Sequence, residues 1–211
     1  MFMLMETTCL DYIKALSSGA PIPGGGGAVA LAGSIGTALG NMVGALTVNK
    51  EKYADVKDEL EGYMKEAEEI QMIFLKLVDK DAAAFRPLVN AYKLPHSTDE
   101  EKAERDRIMA DALEMACTAP IEIMEYCCRA IEICNEFAIK GAKVALSDAG
   151  VGVILCKAAL QGAALNVFIN TRLMKDEKRK EELNRKAIMM LTEYTVKADT
   201  VYAKAYRYLT D

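Results

Sequence analysis

The chain has 211 residues, 52% of them hydrophobic and 27% charged, enough for a single domain spanning 1–211 with a sizeable core. A formal net charge of -5 without any basic tract argues against nucleic acid and against an anionic membrane surface as partners. Six cysteines (Cys9, Cys117, Cys127, Cys128, Cys134 and Cys156) form no Cys-x-x-Cys pair, and no signal-peptide pattern is visible. Both features point to reduced thiols in a cytoplasmic protein, with no metal site of the zinc type. The single histidine, His96, removes histidine-rich metal centres and leaves most acid–base work to carboxylates, lysines, tyrosines or cysteines.

In chain order the periodicity predicts helices almost throughout. Glu6 to Ser18 forms a short amphipathic helix anchored by Leu10, Ile13 and Leu16. The run Gly19 to Gly27 ends it and opens a central helix from Ala28 to about Val48. That segment is uncharged and long enough to cross a bilayer, but its glycines, Ser34, Thr37, Asn41 and Thr47 suit a buried helix better. A long helix from about Tyr53 to Tyr92 is bent near Pro87. Thr98, with Glu101 three residues on, has the capping-box spacing for a helix running to Lys140 with a kink at Pro120. Gly141 ends it, Ser147 caps a helix from Asp148 to about Leu173, and Asp176 starts a last helix to about Leu209. Strand signals are nearly absent, so the fold class is all-α: a single-domain helical bundle with long kinked helices.

Four features carry possible chemistry. Ile70, Phe74, Leu77, Asp81, Phe85, Leu88 and Tyr92 share one helix face, apolar or aromatic except at Asp81. A carboxylate desolvated there has its pKa raised, which suits proton transfer near neutral pH; a buried partner or a rotation of the face at Pro87 are the alternatives. Asp79 points away from it, and Lys76 and Lys80 are candidate partners for these acids. Pro23 to Ala28, through Gly24, Gly25, Gly26 and Gly27, sets successive backbone N–H groups at a helix start, where a phosphate or carboxylate can bind. Asn166 and Asn170 lie four apart on an apolar helix and need partners, from the backbone or from a heterocycle. Small faces, Gly33, Gly36, Gly40 and Gly44 on one helix and Ala159 and Ala163 on another, predict closely packed helices, with a flat ligand as the alternative. Ser147-Asp148 reads first as a helix cap.

Taken together, six segments resemble the cyclodeaminase family, the C-terminal half of formiminotransferase-cyclodeaminase and its stand-alone bacterial relatives. They are Pro21 to Gly27, Lys52-Tyr53-Ala54-Asp55, Asp79 to Phe85, Leu94-Pro95 before an acidic helix start, Ser147-Asp148, and Asn166 to Asn170. The resemblance implies a folate enzyme that forms a homodimer, needs no metal, holds no tightly bound cofactor and takes a tetrahydrofolate derivative as substrate. Its reaction expels ammonia from 5-formiminotetrahydrofolate to give 5,10-methenyltetrahydrofolate; some relatives instead hydrolyse the methenyl bridge to 10-formyltetrahydrofolate. It places the catalytic acid on Asp81. It also makes Asn166 and Asn170 candidates for the pterin edge, Gly24, Gly25 and Gly26 for close backbone approach, Lys52 for the glutamate tail, and Ser147 and Asp148 for further substrate contacts. Relatives often carry serine where this chain has Gly27. A helical dimer that binds folate without catalysis is the reading from a different class.

Overall fold

The computed structural model describes residues 4–211, and no strand occurs among them. Six helices follow in order: α1 (Cys9–Leu16), α2 (Gly25–Ala45), α3 (Lys57–Ala91), α4 (Asp99–Lys140), α5 (Leu146–Thr171) and α6 (Glu177–Thr210). Helices α2, α3, α4 and α5 form a ring in which each packs on the next, and α6 lies against α4 and α5. The capping chemistry sets several starts. Thr98 Oγ1 accepts the Glu101 N–H at 3.2 Å while the Glu101 carboxylate accepts the Thr98 N–H at 3.1 Å, the reciprocal box expected for α4. Asp176 caps α6 through the Arg179 N–H at 3.0 Å.

Three boundaries depart from the sequence reading. The glycine run is not a loop before the central helix but its first turn: α2 begins at Gly25, with Gly24 as the N-cap. The third helix begins at Lys57, because Glu51–Val56 forms a separate 3-10 turn. Ser147 does not cap α5, which begins one residue earlier at Leu146 with Ala145 as its N-cap; Ser147 is exposed within the first turn. In α1 the buried residue is Tyr12, at 4% exposure, whereas the predicted anchors Leu10 and Ile13 are 62% and 57% exposed. The helix docks on the Tyr12 and Leu16 side, a rotation that hydrophobicity alone did not select.

The small faces serve helix packing. A Cβ on Gly36 would lie 2.7 Å from the Gly152 carbonyl oxygen, and one on Gly152 would lie 2.7 Å from the Gly36 oxygen. The α2 and α5 backbones therefore touch directly, which only glycine permits. Two stretches, α2 and 143–171, are long and apolar enough to cross a membrane; in this fold they are the adjacent central pair.

Candidate active site

Parts of four helices enclose a cavity of about 240 Å³. The start of α2 supplies Gly24, Gly25 and Gly26, and α3 supplies Asp81 and Phe85, with Tyr92 just beyond its end. Ala116 and Pro120 come from the middle of α4, and Asn166 and Asn170 from the end of α5. Asp81 thus meets the glycine turn as the helical phase of α3 requires. A methyl group on Gly26 would overlap the Asp81 carboxyl group, so glycine there is the condition for the acid to lie on the first turn of α2.

Burial pushes the Asp81 carboxyl up to about 6, opposed by the Gly27 backbone N–H facing it. The anion that the glycine turn faces is therefore the protein's own carboxylate, where the sequence suggested a phosphate or substrate carboxylate. The lysines expected to partner the acids do not do so. Lys80 pairs with Glu122 on α4, and Asp79 accepts the Leu4 N–H at 2.8 Å. Left without a cation among the described residues, Asp81 keeps a proton affinity suited to exchange near neutral pH.

The asparagines are positioned by two different anchors. Asn166 Nδ2 donates to the Gly162 carbonyl of its own helix at 2.8 Å. Asn170 Nδ2 donates across to the Ala116 carbonyl at 3.1 Å. Ala116 lies four residues before Pro120, and a proline has no N–H to close that helical bond. Pro120 therefore frees a carbonyl in α4, and Asn170 takes it. Neither amide oxygen meets a protein donor among the described residues, so both residues bring an unused acceptor to the cavity wall.

Other candidates lie elsewhere. Ser147 and Asp148 sit near the start of α5, nineteen residues before Asn166, on the order of 28 Å along the helix axis. Lys52 follows the far end of α2, about 30 Å along that helix from the glycine turn, and rests over the Tyr53 ring at 5.5 Å. His96 is exposed in the loop before α4. Two contributors were missed from the sequence. The Ala116 carbonyl was recoverable from the rule that a proline orphans the carbonyl four residues upstream. Tyr12, whose hydroxyl lies against Gly27 of the same turn, carried no sequence signal beyond its aromatic character.

Comparison with known proteins places this geometry in context. A methenyltetrahydrofolate cyclohydrolase from Methylorubrum extorquens is 36% identical over 200 residues, covering 95% of this chain and 96% of that protein. The formimidoyltransferase-cyclodeaminase of Gallus gallus is 31% identical over 188 residues; the chain matches only 34% of that longer protein. The crystal structure of formiminotetrahydrofolate cyclodeaminase from Thermotoga maritima superposes with a TM-score of 0.80 at 25% identity, over 98% of this chain and 97% of the other. Residues 8–188 match the formiminotransferase-cyclodeaminase family. The chain belongs to that family, which includes these enzymes of folate one-carbon metabolism.

Proposed function

We propose that the chain acts on the carbon bridging N5 and N10 of tetrahydrofolate, with Asp81 as the proton carrier. The observation that carries this reading is the placement of Asp81: a carboxyl raised to about 6, without a cationic partner among the described residues, on a glycine turn inside the cavity shared with Asn166 and Asn170. The lead reaction is opening of 5,10-methenyltetrahydrofolate by water, supported by the match to a cyclohydrolase along nearly the whole of both chains. Water adds to the methenyl carbon as the Asp81 carboxylate takes its proton. The N5–carbon bond then breaks as Asp81 returns a proton to N5 and the hydroxyl proton leaves to solvent, giving 10-formyltetrahydrofolate. Such proton transfer contributes about 10²–10⁴-fold. The Asn166 and Asn170 oxygens accept from the donor edge of the pterin.

A second reading, favoured by the Thermotoga maritima fold match, is ammonia expulsion from 5-formiminotetrahydrofolate. Asp81 then takes the N10 proton and delivers it to the departing amine. Methenyl absorbance separates the two reactions, since it falls in the first and rises in the second. No change with either substrate would contradict both.

We also infer a homodimer, working in the cytoplasm. Val151, Ile154, Leu165 and Ile169 recur along the exposed face of α5, with Ile35 and Met42 of α2, and Leu46 just beyond its end, exposed on the neighbouring helix. Apolar faces of this extent are interaction surfaces. An antiparallel pairing of two α5 helices would carry Ser147 and Asp148 of one copy towards the Asn166 end of the other, the route by which they would join a site.

A further inference from the structure

We propose that Tyr12 is a positioning residue for Asp81: its hydroxyl, held behind the carboxyl group, is the donor the carboxylate takes up when it ionises. The proposal rests on the proton-carrier reading of Asp81 and deepens it. Tyr12 is 4% exposed, and its hydroxyl oxygen is buried without a hydrogen-bond partner among the described residues. A buried hydroxyl left unpaired is costly, and native proteins keep few of them.

Its position explains why one is kept here. A Cβ on Gly27 would lie 3.2 Å from the Tyr12 oxygen, and a Cβ on Gly26 would overlap the Asp81 carboxyl group. The phenol and the acid therefore lie against consecutive residues of the same α2 turn. Tyr12 does not line the cavity, so its hydroxyl approaches this turn from outside the substrate side. Burial, then Asp81, then Asp79 hold its own ionisation above the ordinary tyrosine value, so it remains a donor.

The surroundings offer the ionised acid little else. The first turn of α2 presents backbone amides only, α4 presents Ala116 and Pro120, and α5 presents Asn166, Ile169 and Asn170. On α3 the neighbouring Asp79 is engaged by the Leu4 N–H. Just beyond α3, Tyr92 lines the cavity on the substrate side, and Tyr12 on α1 is the titratable neighbour that does not line it. When Asp81 gives up its proton, a phenol hydrogen bond stabilises the carboxylate and limits how far burial raises its proton affinity. When Asp81 is protonated, the loss of its negative charge weakens that bond.

The test is Tyr12→Phe, which removes one oxygen and keeps the ring. Carboxyl carbon NMR, with Asp81→Asn assigning the resonance, should show the Asp81 titration moving up by about one pH unit. The acid limb of the turnover profile should move with it, and the plateau above pH 8 should stay within about twofold. Site-specific difluorotyrosine, a stronger donor, should move the titration the opposite way. An Asp81 titration unmoved in both variants would overturn the proposal while leaving Asp81 catalysis standing. A shifted titration in a protein that turns over neither folate would uphold the Tyr12–Asp81 coupling and overturn the functional reading instead.

Discussion

At the residue scale, Asp81 opposes folding stability in order to hold its proton near neutrality. Its folded pKa of about 6 lies above the ordinary carboxylate value of 3.8. The native state therefore binds the proton more tightly than the unfolded chain. Stability from this group is fully present below about pH 4 and is lost as the pH rises through about 6. The difference at pH 7 is roughly 2–3 kcal/mol. Asp81→Asn should accordingly raise the denaturation midpoint at pH 7 and leave it almost unchanged at pH 4, as urea titrations at the two pH values would show. Equal effects at both pH values would mean that the acid is not desolvated as described. The same desolvation, without a compensating cation, makes the residue useful in proton transfer.

At the scale of elements, the site depends on a backbone defect placed where two helices meet. Pro120 leaves the Ala116 carbonyl without its helical donor, and the Asn170 amide supplies one at 3.1 Å. Pro120→Ala restores an N–H that competes for that carbonyl and releases Asn170. We expect KM for the folate substrate to rise about fivefold, equal to about 1 kcal/mol of lost anchoring, with kcat little changed. An unchanged KM would mean that Asn170 is positioned independently of Pro120. Much of this element-level logic was legible beforehand. The helical phase of α3 singled out Asp81, the spacing of Asn166 and Asn170 put both on one face, and the Thr98–Glu101 box fixed the start of α4. Other features were not, for physical reasons. The rotation of α1 that buries Tyr12 and exposes Leu10 and Ile13 is decided by docking against its neighbours, which a short amphipathic pattern does not specify. Glycine is a poor helix former, so the glycine run predicts a loop, yet it forms the first turn of α2, against which Asp81 lies. Which end of a helix faces a cavity is not encoded in periodicity at all, so Lys52, Ser147 and Asp148 could be recognised but not placed.

At the scale of the whole molecule, a four-helix ring with touching α2 and α5 backbones puts the cavity at one end of the bundle. It leaves an apolar face along the outside of the same two helices. If that face is the dimer contact, Leu165→Glu should convert a dimer to a monomer in sedimentation velocity while helicity is retained, because a charge buried at an apolar interface is strongly unfavourable. A variant that sediments as the wild type would move the interface elsewhere. The central claim is more direct: Asp81 moves the proton in a reaction at the bridging carbon of folate. Its measurement is the change in methenyl absorbance with 5,10-methenyltetrahydrofolate, comparing wild type with Asp81→Asn at saturating substrate. The account predicts a falling signal in the wild type, a rate about 10²–10⁴-fold lower in the variant, and folate binding retained in both. A variant that consumes the methenyl compound at the wild-type rate would contradict it.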